Sequence, residues 1–533
     1  MNVRSGRRVG AGVLVVLCAS LGHADIQEAR ELFSAGRLEQ AGAMASELIR
    51  QGPGKVENRE LLVDILISQG RFDQAIAACE DAVSSLPEAA GLRLTLARVY
   101  SWRQRFSDSV RAYDGCIAAE PKEPDCWIEK ARVLGWAKRY DESLAQYRAA
   151  LALGGVEWLG PEMSAKEALW DHRVLEAERS YVLAVATKPD NGEALMDLAQ
   201  LYSNSGMYRA AEARYARLLE VNPYHTAATR SRAKNSSRRS GLHLSAGMSY
   251  WHAESSERQV DVDRVTPFAT AAQRLADDWT LSVTGSRGYY RYHAADSVAE
   301  NGIGGEVAYS RGMRGGASAR FGWTGYEGFS SPRAAYGVSG WVKAVERLDL
   351  SLAYGRENLN TNRVNMADGL YQWTMGTRGT YDAGRHALFG ADYKYGHVSD
   401  DSPFHIAGAD AQITFLSEPH RLYSILRFET WNYAHDSSRY FAPRSYQTYS
   451  GLVGYKHNFG SEGLYYGALE RYADLQFRHA RDSHGYGSVN PKIILHADLT
   501  RRLYAEASAS LTDSHYYKDR SVFAVLGLFL GRP

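Results

Sequence analysis

The residues of this sequence that could bind a ligand alternate with apolar residues along its second half. Asp410 lies between two alanines, and Asp474 lies between an alanine and a leucine. Charged groups and aromatic rings on one face of a strand can replace water around a hydrated ligand without reacting with it. The candidate binding residues are Glu306, Arg320, Asp392, Asp410, Arg427, Glu429, Trp431, Glu470, Tyr472, Asp474, Arg478, Asp498 and Glu506. Ordinary pairing of Arg with carboxylates inside a protein would also explain most of them.

No sequence pattern of comparable clarity indicates covalent catalysis. The sequence contains no GxSxG, HExxH or CxxC pattern, so we expect no enzyme, no metal site and no cofactor. The formal net charge is +1, whereas a nucleic-acid-binding protein would carry a strong basic excess. We therefore expect binding or transport, and no nucleic-acid partner.

The alternation itself predicts the elements that position these residues. Apolar and polar residues alternate over segments of about ten residues after residue 240, which is typical of transmembrane β-strands. Short connections, such as Asp382–Arg385 and Gly460–Gly463, alternate with longer ones, such as Glu357–Gly369, Ala434–Tyr446 and Asp513–Ser521. Seven short and eight long connections predict a 16-stranded antiparallel transmembrane β-barrel over residues 241–533.

Composition agrees with a membrane barrel. Of the 34 tyrosines, 25 follow residue 240, and many stand near predicted strand ends, as an interfacial girdle requires. A barrel of this size has an aqueous lumen, and its short turns face the periplasm. Because the first connection is long, the chain that precedes the barrel should also lie in the periplasm.

The first half has a period of 34 residues. Pro53, Pro87, Pro121, Pro189 and Pro223 follow this spacing, and Gly155 fills the one doubled gap. Small residues recur twelve positions earlier, from Ala41 to Ala211. This period predicts an α-solenoid of six tetratricopeptide repeats over residues 25–225, with a concave binding face.

Two segments remain: the N-terminal residues and the connection between the repeats and the barrel. Three arginines, a short apolar run and Gly22-His23-Ala24 predict a signal peptide over residues 1–24. The basic residues 226–240 are interpreted as a linker, either merely solvated or touching anionic lipid headgroups. Cys79 and Cys116 fit buried helical positions, and a disulfide between Cys116 and Cys126 is an alternative in an oxidising periplasm.

The combination of signal peptide, repeats and barrel resembles the outer-membrane exporters of bacterial exopolysaccharides, of the poly-N-acetylglucosamine and cellulose export porin type. The resemblance covers nearly the whole chain and implies a biofilm-matrix polysaccharide passing through the barrel. It also implies that the repeats, facing the periplasm, bind the polymer or periplasmic polysaccharide-modifying or synthase proteins. Two alternatives are a repeat scaffold that outer-membrane lipid holds through its barrel, and a barrel with a receptor-like role.

Overall fold

A computed structural model describes residues 25–86, 89–223, 225–239, 241–255, 261–276, 278–292, 296–329, 332–417, 419–459 and 469–530. The predicted signal peptide and the predicted turn at Gly460–Gly463 lie outside these residues. The chain divides into two compact units, Met1–Glu157 and Trp158–Pro533.

The first unit consists of helix pairs. Ala41, Ala75, Ser109 and Ser143 are fully buried, as the 34-residue register predicts, because small residues let paired helices approach closely. The predicted tetratricopeptide fold is therefore confirmed here. The helices are α1 (Ile26–Ser34), α2 (Leu38–Gln51), α3 (Val56–Ser68), α4 (Phe72–Ser85), α5 (Ala90–Trp102), α6 (Phe106–Ala119), α7 (Pro124–Trp136) and α8 (Tyr140–Leu153).

The cysteines of this unit have distinct roles. Cys116 on α6 and Cys126 on α7 form a disulfide, with Cα atoms 6.2 Å apart. Cys79 is a free thiol that is fully buried. Burial raises the pKa of the Cys79 thiol to about 12, so Cys79 is a packing residue rather than a nucleophile.

The second unit begins with five more helices, α9 (Leu159–Trp170), α10 (Val174–Thr187), α11 (Gly192–Asn204), α12 (Tyr208–Val221) and α13 (Thr226–Arg239). The segment interpreted as a linker is therefore helical over Thr226–Arg239. Its packing uses small and polar residues: Ala228 and Asn235 are fully buried, and Asn235 Nδ2 donates to the Tyr208 carbonyl over 2.9 Å. Among the described residues, no helix is long and apolar enough to cross a membrane.

The rest of the second unit is a closed antiparallel barrel. Sixteen strands in the described part of the chain pair in sequence order, and β1 closes against β16, with Leu242 opposite Leu530. The predicted fold class is confirmed. The strands are β1 (Leu242–Ser255), β2 (Asp261–Arg274), β3 (Trp279–Arg291), β4 (Val298–Ser310), β5 (Gly315–Tyr326), β6 (Arg333–Val345), β7 (Leu348–Asn358), β8 (Tyr371–Asp382), β9 (Ala387–Val398), β10 (Ser402–Leu416), β11 (His420–Tyr433), β12 (Tyr446–Asn458), β13 (Arg471–Asp482), β14 (Gly487–Asp498), β15 (Leu503–Ser514) and β16 (Tyr517–Leu530).

The two ends of the barrel differ. At the turn end, short connections join strands, including the 3₁₀ turn Gly312–Arg314. At the loop end lie the longer connections, one of which contains the short helix α14 (Arg363–Asp368). The predicted long connection at Asp513–Ser521 is wrong, because β15 continues to Ser514 and β16 already begins at Tyr517. The alternation of the two strand faces continues through the polar residues of this segment, and those residues take part in the pairing of β15 with β16.

Candidate functional site

Strand register separates the inner and outer faces of the barrel. Asp410 lies opposite Arg427 on one side and Gly390 on the other, and the same parity continues around the sheet. Residues of the other parity expose large apolar side chains; Leu352 and Leu426, for example, are 52% and 58% exposed. Exposed apolar residues belong on the lipid side of a transmembrane barrel, so the polar parity lines the lumen.

The candidate residues lie on this inner face. Those on strands all have the inner parity, and Glu470 directly precedes β13. They fall into separate groups along the wall rather than into one site. Glu306 lies opposite Arg320 across β4 and β5, but the Arg320 guanidinium pairs instead with Glu357 at 3.0 Å.

Four of the candidates form one ion-pair cluster with Arg378. The Arg427 guanidinium contacts Asp392 at 3.1 Å, Asp410 at 2.9 Å and Glu429 at 2.8 Å. Arg378 contacts Asp392 and Asp410, each at 2.8 Å. Two guanidinium groups are thus shared among three carboxylates, so both positive charges are neutralised and one formal negative charge remains. We name these five residues the arginine cluster.

Glycines make room for the arginine cluster. A Cβ atom at Gly408 would lie 2.7 Å from Arg427 Nη2, and a Cβ atom at Gly390 would overlap the Arg378 guanidinium. Gly454 likewise lies beneath the Tyr423 ring. Large side chains of one strand therefore lie flat over glycines of the next strand, which keeps them against the wall of the lumen.

A second group surrounds the candidate Asp474. The Tyr423 hydroxyl donates to Asp474 Oδ2 over 3.1 Å, and Gln476 Nε2 donates to the same oxygen over 2.9 Å. Arg478 follows on the same strand, opposite Asn490. Tyr423, Gln476 and Asn490 are not among the candidate residues, although their parity indicates the inner face.

A ladder of rings runs around the turn end of the lumen. Tyr472 stacks on His496 at 5.2 Å, His496 on Tyr504 at 5.8 Å, and Tyr504 on His243 at 5.8 Å. His243 in turn stacks on Phe529 at 4.5 Å. The candidate Glu506 contacts the ladder through His496 at 3.4 Å. Only Tyr472 of these rings was predicted; inner-face parity near strand ends was the available signal.

Charged contacts join helices of the second unit to the turns of the barrel. Glu346, in the β6–β7 turn, accepts hydrogen bonds from the backbone N–H groups of Leu175 (2.7 Å) and Glu176 (3.2 Å). These N–H groups lie in the first turn of α10, where a helix lacks internal acceptors, so a strand turn supplies the cap of a helix. Arg347, the next residue, pairs with Asp171 at 2.5 Å.

Two further contacts belong to this docking. Arg314 of the 3₁₀ turn pairs with Glu178 on α10 at 2.9 Å. Lys234 on α13 contacts Asp498 at 3.1 Å and Glu470 at 3.8 Å. Two of the predicted lumen residues therefore hold α13 at the rim of the barrel.

The two longest predicted loops fold onto the inner face at the opposite end. They are the β7–β8 loop (residues 359–370) and the β11–β12 loop (residues 434–445). Met366 of the first is fully buried in a cluster with Tyr290 and Tyr292, which continue the inner face of β3. In the second loop, Phe441 lies 6.1 Å from the candidate Trp431, measured between ring centroids.

The same two loops are tied to each other. Asn362 Nδ2 and Asn365 Nδ2 both donate to the carbonyl oxygen of Arg439, over 2.6 and 2.9 Å. The Arg439 guanidinium pairs with Asp368 at 3.1 Å. We name these contacts the loop latch. Within the described ranges, no group of three or more His, Cys, Asp or Glu side chains is arranged to hold a metal ion.

Comparison with known proteins identifies the helical part. Residues 66–127 and 171–234 match one tetratricopeptide repeat family, and residues 26–90 match another. With the barrel, these matches define the class: tetratricopeptide repeats joined to a 16-stranded transmembrane β-barrel. No curated protein matches the chain.

Solved structures resemble parts of the chain at low identity. A structure described as a bacterial polysaccharide outer membrane secretin is 13% identical, with a TM-score of 0.43, over 54% of this chain and 98% of that one. A tetratricopeptide repeat protein from Parabacteroides merdae is 16% identical, with a TM-score of 0.32, over 39% of this chain and 82% of that one. YrrB, described as a tetratricopeptide repeat protein with an unusual peptide-binding site, is 14% identical, with a TM-score of 0.23, over 36% of this chain and 97% of that one.

Proposed function

We propose that this protein is an outer-membrane porin that exports a polysaccharide from the periplasm to the cell surface. The observation that carries the proposal is a wide barrel with a polar inner wall and repeat helices docked at its turn end. Short turns of outer-membrane barrels face the periplasm, so in this proposal the helices stand where the polymer enters. The polymer crosses without chemical change, and the protein acts as a conduit, not an enzyme.

Lumen electrostatics favours a hydrated polymer over a selected ion. Arg378 and Arg427 are neutralised by the carboxylates of the arginine cluster, and Lys343 pairs with Asp349 at 2.7 Å. A filter for one ion needs a ring of a single charge, which such pairs do not provide. Paired charges and hydroxyl groups offer many weak hydrogen bonds, and weak multiple contacts let a chain slide.

The loop latch adds a condition to this proposal. In the structure the β7–β8 and β11–β12 loops fold over inner-face residues at the loop end. A polymer that leaves through this end must displace them. The exit is thus held by neutral amide hydrogen bonds, by one partly exposed ion pair and by the burial of Met366, Leu370 and Tyr440. The polar contacts are individually worth about 1 kcal/mol.

The decisive experiment is gene deletion with complementation. We expect loss of secreted polysaccharide and of biofilm matrix, with polymer accumulating in the periplasm, and recovery with the native gene. Unchanged secretion and matrix would contradict the proposal. Planar-bilayer recordings of the full-length protein provide a second measurement, in which export requires a conductance that grows when the two loops are shortened.

A second candidate is a scaffold whose barrel serves as a membrane anchor. The charged docking of α10 and α13 on the barrel favours it, because firmly held repeat helices suit partner recruitment. The two functions separate when the lumen is blocked. A pair of cysteines that crosslinks both loops stops an exporter but leaves a scaffold active.

A further inference from the structure

The outer face of the barrel differs in charge from one sector to the next near the loop end. Over the described residues 333–416, the outward positions of β6 to β10 hold no Asp or Glu, and their basic residues are Arg356, His397 and His405. On the other side of the barrel, outward positions at this end include Glu254 on β1 and Asp263 on β2. A negatively charged lipid headgroup is therefore repelled there and accepted by the β6–β10 sector.

Aromatic rings cover the β6–β10 sector at the loop end. Five rings, one from each of five consecutive strands, follow one another with centroids between 5.1 and 6.4 Å apart. They belong to Tyr336, Tyr354, Trp373, Tyr395 and His405, which we name the ring row. Aromatic residues of transmembrane barrels lie at the level of the lipid headgroups. A girdle requires rings at this level but not unbroken contact across five strands, so the ring row is a more specific feature.

Arg356 lies within the ring row, opposite Tyr336 on β6 and Trp373 on β8. Its guanidinium lies 3.7 Å from the centroid of the Tyr371 ring, a contact that holds the side chain against the outer face. The buried Nε atom has no hydrogen-bond partner, and no carboxylate of the described residues pairs with the guanidinium. A fixed guanidinium at the headgroup level without a counterion of its own is suited to bind phosphate.

An apolar groove continues from the ring row toward the middle of the membrane. Its volume is about 510 Å³, within the range of roughly 300–1,000 Å³ for small-molecule sites. Gly340 lies opposite Leu352 and contributes no side chain, which leaves the space between the neighbouring side chains open. Tyr354 belongs both to the groove and to the ring row, so the two surfaces are continuous. The outward side chains that line the groove are Val338, Val342, Leu350, Leu352, Tyr354 and Thr377.

We infer that the ring row, Arg356 and the groove together bind one phosphorylated glycolipid of the outer leaflet. An acyl chain occupies the groove, sugar rings stack on the ring row, and Arg356 donates to a phosphate oxygen. A phospholipid without sugar satisfies Arg356 and the groove but leaves the ring row uncovered, so the site prefers the glycolipid.

The inference goes beyond polysaccharide export, because it concerns the outer face of the barrel and not the lumen. It requires the barrel to span the outer membrane with its loop end at the cell surface. It does not depend on what crosses the lumen.

The test is native mass spectrometry of the full-length protein, released from detergent micelles after titration with bisphosphorylated lipid A. Phosphatidylglycerol, which is anionic and has no sugar ring, is the comparison lipid. We expect one lipid A molecule to bind, with a lower Kd than phosphatidylglycerol. R356A/W373A should raise the Kd of lipid A about tenfold, because a charge-assisted hydrogen bond and an aromatic contact are lost together.

The matched control is R287A/Y289A on β3. Arg287 and Tyr289 also face outward near the loop end, with the guanidinium 5.4 Å from the ring centroid, but Arg287 pairs with Glu327 at 3.4 Å. Because this arginine already has a counterion, the control should bind lipid A as the native protein does. R356K/W373F keeps a charge and a ring, so it should retain part of the affinity even if the alanine variant folds poorly.

A separate variant tests the groove. G340L adds a side chain to the outer face and leaves the ring row unchanged. A Cβ atom at Gly340 meets the Gly316 carbonyl oxygen at 3.4 Å, an ordinary contact, so the strands should still pair. We expect G340L to weaken lipid A binding severalfold. Heat-modifiable migration in gels reports whether the barrel of each variant is folded.

Three outcomes would overturn the inference. They are an equal Kd of lipid A for R356A/W373A and R287A/Y289A, binding of phosphatidylglycerol as tight as that of lipid A, and failure of the native protein to bind lipid A. Failure of the export function is separately visible, because unchanged secretion after gene deletion contradicts export and leaves the lipid measurements as they are.

Discussion

The turn end and the loop end of the barrel are held by contacts of different kinds. At the turn end, charged side chains such as Glu346, Arg347 and Arg314 bind helices α9 and α10. At the loop end, the amides of Asn362 and Asn365 share one backbone carbonyl. Hydrogen bonds with a charged partner are roughly twice as strong as neutral ones. The comparison teaches that charged side chains hold separate helices to the turn end. At the loop end, in contrast, the barrel's own loops are joined to each other by amides, one ion pair and buried apolar groups.

Breaking the loop latch should give the largest effect. N362A/N365A/R439A removes both amide donors and the ion pair with Asp368, so every polar contact of the loop latch is lost. We expect a severalfold rise in single-channel conductance in planar bilayers. R444A is the matched control, because the pair of Arg444 with the exposed Asp436, at 3.5 Å, lies within one loop. Equal conductance of the two variants would show that the latch does not restrict the lumen.

Between the two ends, R427A should weaken the barrel wall without opening either end. It leaves Asp410, whose side chain is 10% exposed, with Arg378 as its one remaining guanidinium partner. Because the arginine cluster is partly solvated, we expect a loss of about 1–3 kcal/mol in the free energy of unfolding, below the value for a fully buried pair. Urea unfolding in micelles measures it. R320A, in a pair that is more than half exposed, should cost much less.

At the turn end, E346A should loosen α10. The variant leaves the N–H groups of Leu175 and Glu176 without their acceptor, which should cost about 0.5–2 kcal/mol, the range for a lost helix cap. Hydrogen exchange of residues 174–178 should accelerate, while the latch and the conductance stay unchanged. E220A, in the exposed pair with Arg217, is the control. Unchanged exchange in E346A would mean that the barrel does not cap the helix.

The smallest effect is expected for the Arg314–Glu178 pair. The Arg314 side chain is 50% exposed, so solvent screens the pair. A double-mutant cycle of R314A and E178A should return a coupling of about 0.2–1 kcal/mol in unfolding experiments. A coupling near zero would leave Glu346 and Arg347 as the main docking contacts of α10.

The sequence predicts periodic features and misses those that depend on long-range pairing. A period of two assigns Asp410 and Asp474 to the inner face, since parity is set locally along each strand. That Arg378 reaches Asp410 across an intervening strand follows from the register of three strands, which no local pattern encodes. The loop latch joins residues 77 positions apart, so the sequence alone shows only that both loops are long.

Helix α13 was missed for a different reason. It has no apolar stripe, and its buried residues include Ser231 and Asn235, so hydropathy indicates a solvated connection. Its packing is provided by the Asn235 hydrogen bond to Tyr208 and by Lys234 at the barrel rim. Such a helix combines specific polar partners with the small buried contact of Ala228, which a periodicity argument cannot detect.

The glycines beneath the arginine cluster influence the free width of the barrel lumen. A single added methyl group at Gly390 or Gly408 meets a guanidinium group and forces it away from the wall. Substitution of such a glycine can therefore narrow the free lumen, while the number of strands, and hence the backbone diameter, stays the same. The free width of the lumen therefore depends on residues that have no side chain of their own.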